Sequence, residues 1–232
     1  MCIRDSCKRA LKIGIPLALQ EFLTQVSFLA LCAFINRLGL EASSGYGVAC
    51  KIVNFAMLIP SSLMQSMASF VSQNVGAGNE KRAKKAMFTG IGVGLVIGCI
   101  AFLLIIFKGD ILTGIFTTDA AVVQKGYDYL KGFALETIVT AILFSMIGYF
   151  NGHDKTIWVM AQGLIQTLLV RLPLAYYMSI QPDASLTKIG FAAPAATIFG
   201  ILLNVVYLIN WYNYTTCWNN SFYRMPCWRC DY

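Results

Sequence analysis

Ionisable side chains are scarce in this chain of 232 residues, of which 12% are charged and 57% are hydrophobic. A soluble domain usually carries about twice that share of charged residues, so these charges are too few to cover a water-exposed surface. The mean hydropathy of +0.64 agrees with this deficit. The composition therefore excludes an ordinary soluble domain and places the chain among membrane proteins.

Patterns typical of enzymes and metal sites are also missing. The chain has one histidine, His153, so it contains no H-E-x-x-H motif, and no P-loop or serine–histidine–aspartate set is found. The glycine-rich run at 90–98 lies in an apolar segment, which favours close helix packing over nucleotide binding. Cys227 and Cys230 form a lone C-x-x-C pair, whereas a zinc site normally needs four ligands. We therefore expect no enzyme activity, no cofactor and no metal site.

Six hydrophobic stretches are long enough to cross a bilayer. The hydrocarbon core is about 30 Å thick, and about 20 apolar residues span it as a helix. Backbone groups in lipid must be bonded internally, which favours helices. The stretches lie at 13–35, 48–70, 87–107, 129–150, 157–180 and 191–212. The sequence thus predicts an all-α integral membrane protein with six transmembrane helices.

The connectors between these stretches carry turn residues. We expect loops at 36–47, at 74–78 and at 181–188 because glycine, asparagine, proline or aspartate recurs there. Pro60 and Pro173 lie inside the second and fifth helices, where prolines commonly produce kinks. The predicted helices are therefore joined by short turns and are not all straight.

Basic residues concentrate on one predicted side of the membrane. Short cytoplasmic loops carry an excess of lysine and arginine, and the basic clusters at 4–12, 81–85, 155 and 224–229 all fall on that side. With six crossings, both termini are predicted to be cytoplasmic. The net charge of +7 then reflects topology and some attraction to anionic lipid headgroups, and it implies no nucleic-acid partner.

Four ionisable residues fall deep within the predicted helices: Glu21, Lys51, Glu136 and Arg171. Each costs about 2.5–3.5 kcal/mol on insertion scales, so such residues normally face a bundle interior or a wet cavity. Two interpretations stay open for the glutamates. They form structural ion pairs with Lys51 or Arg171, or they bind a proton or another cation, as a proton-coupled carrier requires.

The second predicted helix carries a polar face. Its members recur at helical spacing, with Leu58 filling one gap: Lys51, Asn54, Ser61, Gln65, Ser69 and Ser72. Polar residues on other helices add to it: Gln20, Thr24, Thr140, Gln162 and Gln166. Hydrogen bonding between helices is the simpler interpretation for any single residue. The face as a whole favours a water-filled cavity.

Several motifs together resemble one transporter family. They are KIGIPLALQ at 12–20, FINRLG at 34–39, QNVGAGN within 51–86, GYFNGHDKT at 148–156 and VRLPLAYYMS at 170–179. In these stretches the chain resembles the multidrug and toxic compound extrusion (MATE) family, over about residues 11–212. The resemblance implies a twelve-helix, inverted-V transporter of two lobes that works by alternating access. The chain is similar to the C-terminal six-helix lobe, so a partner N-terminal lobe is implied.

The resemblance also implies a function and a layout. We expect a part of an H⁺- or Na⁺-coupled antiporter that exports amphipathic organic cations or related small molecules across the bacterial plasma (inner) membrane. Residues 1–12 are interpreted as a cytoplasmic leader, 13–212 as the lobe and 213–232 as a cytoplasmic tail; a non-native origin is one interpretation of both ends. Two alternatives stay open: a lipid-linked oligosaccharide flippase of the same superfamily, and a non-transporting scaffold subunit.

The residues predicted to line the substrate and ion pathway are Gln20, Glu21, Thr24, Lys51, Asn54, Gln65, Glu136, Thr140 and Arg171. Some MATE relatives carry acidic cation-site residues at the positions that Thr24 and Thr140 occupy here. Glu21 and Glu136 each lie about one helical turn from those positions. The resemblance therefore does not transfer a sodium site to this chain.

Overall fold

A computed structural model describes residues 3–181 and 185–222 of the chain, and its regular structure there is helical. The helices are α1 (Ile3–Ile35), α2 (Leu40–Gly76), α3 (Glu80–Gly114), α4 (Ala120–Gly152), α5 (Thr156–Ile165), α6 (Leu172–Ile180), α7 (Leu186–Gly190) and α8 (Ala192–Phe222). A short 3₁₀ turn (Asn36–Leu38) follows α1, and a π-helical segment (Gln166–Arg171) joins α5 to α6.

Six spans in the described part are long and apolar enough to cross a membrane, which confirms the predicted number. They are Ala18–Ile35, Leu40–Gly76, Glu80–Gly114, Ala120–Gly152, Thr156–Ile180 and Leu186–Asn213. The helices extend further than predicted: α1 begins at Ile3, inside the predicted leader, and α2 has 37 residues. At 1.5 Å per residue, α2 is about 55 Å long, so it extends well beyond a 30 Å hydrocarbon core.

The predicted loop at 36–47 is wrong, because α2 already begins at Leu40. Of the glycines in this segment, Gly39 is the one that follows the end of the 3₁₀ turn. Its φ of 105° is one that few residues other than glycine adopt. Gly45 lies within α2, where a Cβ atom would come 2.7 Å from Lys125 Cβ and 2.8 Å from Gly126 N. The glycine at position 45 therefore permits close packing of α2 on α4 and does not form a turn.

The other two predicted connectors are shorter than expected. After α2, the turn spans Ala77–Asn79, with Gly78 at a φ of 75°. Between the fifth and sixth spans, α7 begins at Leu186, while residues 182–184 lie outside the described part. Helices α2 and α7 thus each include part of a segment that was predicted to be a loop.

Helix α4 is the central element of the lobe. In its most apolar 18-residue stretch, 72% of the residues are buried, compared with 17–39% in the other five spans. Helix α4 packs against α2, α3, α7 and α8. Gly98 of α3 meets it closely: a Cβ atom there would lie 2.6 Å from the Thr137 carbonyl oxygen, and the Thr137 hydroxyl donates to the Gly98 carbonyl at 3.2 Å. Gly98, the last glycine of the run at 90–98, therefore serves close helix packing.

Two helices contain irregular turns. In α3, Lys108 leaves helical geometry (φ −133°, ψ 15°), and the Tyr127 hydroxyl donates to the nearby Ile106 carbonyl at 2.7 Å. In the fifth span, α6 directly follows the π-helical segment, and Pro173 is its second residue. Proline lacks an N–H and clashes with the carbonyl four residues earlier, so a wider turn before it relieves both problems. Pro60 lies inside α2.

Candidate functional site

A cavity of about 870 Å³ is formed by α1, α2, α4, the α5–α6 span and α8. Binding sites for small molecules usually occupy about 300–1,000 Å³. The lining combines aromatic and methionine side chains with polar and charged groups. A cavity of this size and mixture can accommodate an amphipathic small molecule.

Eight of the nine predicted pathway residues line this cavity. They are Gln20, Glu21, Thr24, Asn54, Gln65, Glu136, Thr140 and Arg171. Lys51 is exposed and is not among the lining residues; its Nζ lies 6.0 Å from the ring centre of Phe116. Phe116 follows the end of α3. The structure therefore brings the predicted set together except at Lys51, and the roles of the eight remain predictions.

The polar face of α2 forms one wall of the cavity. Its lining members are Asn54, Leu58, Ser61, Gln65, Ser69 and Ser72. Residues three or four apart on a helix share a face, which explains why this pattern could be read from the sequence. The predicted polar face thus lines a cavity from Asn54 onward.

A chain of side-chain hydrogen bonds ends at Glu136, which is only 8% exposed. Thr197 on α8 donates to Glu136 Oε1 at 2.8 Å, and Gln166 Nε2 donates to the Thr197 hydroxyl at 3.4 Å. Gln162 Nε2 in turn donates to Gln166 Oε1 at 2.6 Å. These bonds hold one carboxylate oxygen of Glu136 in place within the cavity wall.

The second carboxylate oxygen of Glu136 is differently placed. Thr140, one turn further along α4, is close enough to interact with the carboxyl group, yet Oε2 is buried with no hydrogen bond of good geometry. A buried acceptor without a partner is costly, so such groups commonly bind water, a proton or an ion. Oε2 is thus the atom of Glu136 best placed to bind a proton or another cation.

The described glutamates make no direct contact with the basic side chains considered as their partners. Among the described side chains, neither Glu21 nor Glu136 has a carboxylate oxygen within 4.0 Å of a lysine or arginine nitrogen. Arg171 instead places its guanidinium carbon 4.2 Å from the ring centre of Phe28. Arg171 nevertheless acts on Glu136 electrostatically across the cavity, so both interpretations of the glutamates stay predictions.

Sequence reasoning missed Thr197. Thr197 and Asn204 are polar residues that interrupt the apolar run of the sixth span, and this interruption was the available signal. Their surroundings differ, however. Asn204 Oδ1 accepts a hydrogen bond of 3.0 Å from Trp158 Nε1, an ordinary bond between helices, whereas Thr197 lines the cavity. Only the structure distinguishes the packing residue from the cavity residue.

The model of the MatE family matches residues 16–177, well over half of the chain. The chain belongs to the MatE family. Among curated relatives, the probable multidrug resistance protein NorM of Bacillus thuringiensis subsp. konkukian (strain 97-27) is 26% identical over 179 residues, covering 77% of this chain and 40% of that protein. The multidrug export protein MepA of Staphylococcus aureus (strain MSSA476) is 30% identical over 173 residues, covering 70% and 37%.

The fold of this MatE chain is that of solved MATE transporters. The crystal structure of MATE in complex with MaL6 superposes with a TM-score of 0.81 at 17% identity, covering 90% of this chain and 48% of that one. The solved neighbours are twelve-helix transporters, so the six spans correspond to one lobe. The chain spans about two fifths of the length of the curated relatives that it matches.

The described part of the chain contains no group of three or more histidine, cysteine, aspartate or glutamate side chains that could hold a metal ion. Cys32, Cys50 and Cys99 are free thiols in the helices. The Cys227 and Cys230 pair lies outside the described residues.

Proposed function

We propose that this MatE lobe supplies one wall of the substrate cavity of a cation-coupled multidrug antiporter. The cavity of about 870 Å³ carries this proposal, because a polar face of α2 and the buried carboxyl of Glu136 both line it. A scaffold has no need for either feature. The named relatives, a multidrug resistance protein and a multidrug export protein, support the same function.

The proposed substrates are amphipathic organic cations and related small molecules. Aromatic and methionine side chains in the lining, such as Phe133, Phe144, Met57 and Met64, offer adaptable apolar contacts and cation–π interactions. Glu21 and Glu136 add negative charge to the same cavity. A flat, positively charged molecule therefore finds both of its chemical features matched.

The proposed coupling ion is H⁺ or Na⁺, bound at Glu136. An ion and a cationic substrate compete for this carboxyl group, because both are attracted to the same negative charge. Such competition is the basic requirement of an antiporter, in which the two ligands bind in alternation. Gln20, Thr24 and Thr140 supply neutral oxygen atoms near the same surface.

Alternating access requires a partner lobe that rocks against this one. We propose the N-terminal six-helix lobe of the same transporter as that partner, with 13–212 as the lobe and both flanking segments, 1–12 and 213–232, in the cytoplasm. The distribution of lysine and arginine supports this orientation in the bacterial plasma membrane.

A lipid-linked oligosaccharide flippase is the second candidate. A pyrophosphate-bearing substrate requires a strongly cationic cavity, yet Arg171 is the one lysine or arginine among the residues that line this cavity. The position of Lys51 outside the lining further weakens this alternative. The charge balance of the cavity therefore favours a cationic over a pyrophosphate substrate.

The test uses the full-length protein that carries this chain, reconstituted in vesicles with an imposed H⁺ or Na⁺ gradient. We expect gradient-dependent movement of a fluorescent organic cation, and loss of that movement in Glu136→Gln. Absence of movement under either gradient would contradict the proposal. A parallel assay with a fluorescent lipid-linked sugar, if positive where the cation is not moved, would establish the flippase instead.

A further inference from the structure

We propose that Arg171 is an anion-binding subsite of the cavity, and that the preferred substrates are zwitterions whose carboxylate binds there. This inference rests on the proposed function and narrows its substrate class. Neither the sequence resemblance nor the charge of the glutamates points to it. It follows from the contact of the Arg171 side chain with Phe28 and from the absence of a hydrogen-bond acceptor for its Nε among the described residues.

The first observation is the position of the guanidinium group. Arg171 is the last residue of the π-helical segment, lines the cavity and places its guanidinium carbon 4.2 Å from the Phe28 ring centre on α1. Stacking on an aromatic ring orients the plane of the guanidinium and leaves its edge, where the N–H donors lie, available for hydrogen bonds. The side chain is thus already arranged for a planar acceptor.

The second observation is the absence of an internal partner. Arg171 Nε is buried and has no hydrogen-bond acceptor among the described residues. No carboxylate oxygen in the described part lies within 4.0 Å of its nitrogens either. Buried charged donors without partners are rare because their desolvation is uncompensated. An incoming acceptor would remove that cost.

The two glutamates that share the cavity make no direct ion pair with Arg171. Glu136 instead accepts a hydrogen bond at Oε1 from Thr197. The guanidinium group therefore retains its donors for a ligand. A carboxylate fits best, because its two oxygens match the parallel N–H groups of arginine.

The remaining charges of the cavity determine the rest of the ligand. Glu21, Glu136 and Asp154 give the lining more negative than positive charge. A purely anionic ligand would meet repulsion from these groups, and a purely cationic ligand would leave Arg171 unpaired. A molecule that carries both a cationic ring system and a carboxylate can pair with the acidic residues and with Arg171 at the same time.

A rival explanation is that Arg171 only balances the charge of Glu136. The two groups do influence each other electrostatically across the cavity. Under this explanation only the positive charge at position 171 matters, so Arg171→Lys would keep the wild-type ratio of acid to ester affinity, whereas an anion subsite also needs the planar guanidinium. A matched pair of ligands, measured with Arg171→Lys as well as Arg171→Gln, separates the two explanations.

The test compares tetramethylrhodamine, which carries a free carboxylate, with its methyl ester, which has the same cationic ring system without the anion. Binding of each dye to the full-length protein in lipid nanodiscs is measured by fluorescence anisotropy. The variants are Arg171→Gln and Arg171→Lys, with Lys51→Gln as the control that removes a positive charge outside the cavity.

We expect Arg171→Gln to lower the ratio of acid affinity to ester affinity by about 10- to 100-fold, the range of a charge-assisted hydrogen bond. Arg171→Lys keeps the charge but loses the planar fork, so its ratio should be intermediate, and Lys51→Gln should match the wild type. If Arg171→Gln does not fold, as judged by size-exclusion chromatography, Arg171→Lys decides the matter.

A ratio unchanged in Arg171→Gln, a wild-type ratio in Arg171→Lys, or wild-type protein that binds neither dye would overturn the proposal. Failure of the proposed function has a different signature: no gradient-driven movement of either dye, while the binding ratios still depend on Arg171.

Discussion

The hydroxyl group of Thr197 donates a 2.8 Å hydrogen bond to Oε1 of Glu136 and so links the sixth membrane span to the fourth inside the cavity. Both side chains are buried. This bond leaves Oε2 as the oxygen of Glu136 without a hydrogen-bond partner of good geometry. The candidate ion site therefore depends on α4 for its carboxyl group and on α8 for its orientation.

Replacing Thr197 with valine should lower stability, because the buried Glu136 Oε1 would lose its donor at nearly constant side-chain volume. An unsatisfied buried acceptor costs about 1–3 kcal/mol. We expect a lower thermal-unfolding midpoint in detergent. Thr197→Ser retains the hydroxyl and should restore most of the loss; equal midpoints for the valine and serine variants would show that the hydrogen bond contributes little.

Replacing Glu136 with glutamine should abolish gradient-driven transport while leaving the protein folded. The amide oxygen can still accept the hydrogen bond from Thr197, but the side chain no longer carries the charge that ion and substrate share. Transport in vesicles should fall to background. Glu41→Gln, a control at the exposed start of α2, should transport as the wild type does. If Glu136→Gln still transports in response to the ion gradient, the coupling ion binds at a residue other than Glu136.

The α2 wall can be tested with Asn54→Leu and Gln65→Leu. Both changes remove polar groups from the cavity, so they should impair transport while the protein still inserts and folds. Phe55→Leu is the matched control, because Phe55 is 76% exposed and does not line the cavity. Vesicle transport and expression level are the measurements. A scaffold subunit would assemble and function normally with all three changes.

The packing of α3 on α4 predicts opposite results for two glycines of one helix. Gly98→Ala would bring a Cβ atom to 2.6 Å from the Thr137 carbonyl oxygen, and such overpacking costs about 1–3 kcal/mol. Gly92→Ala meets open space and should be neutral or slightly stabilising. Thermal-unfolding midpoints in detergent compare the two. If both variants have the same unfolding midpoint, the backbone around Gly98 and Thr137 accommodates the added methyl group at little cost, and the prediction is wrong.

The sequence predicted the elements that depend on composition and periodicity. Six apolar stretches became six spans because lipid leaves the backbone few alternatives to helix. The α2 face was visible because helical periodicity reports direction around the helix axis. Periodicity does not report depth, however. Lys51 continues the same face but lies beside Phe116, where α3 has ended, and so falls outside the cavity.

Features that depend on a neighbouring helix could not be read from one segment. Gly45 has the composition of a turn residue, but its role is set by Lys125 and Gly126 on α4. The irregular turn at Lys108 lies near Tyr127, whose hydroxyl bonds the Ile106 carbonyl. Thr197 gains its significance from Glu136, 61 residues earlier in the chain.

The polar wall of α2 has an electrical consequence. From Asn54 to Ser72 it rises about 27 Å at 1.5 Å per residue, nearly the full 30 Å of the hydrocarbon core. A wet surface of that depth, left uncovered, would offer ions a path down their gradient and discharge the membrane. Whatever surface closes over this wall must therefore insulate one end at every moment of the cycle, before it contributes anything to the recognition of a drug.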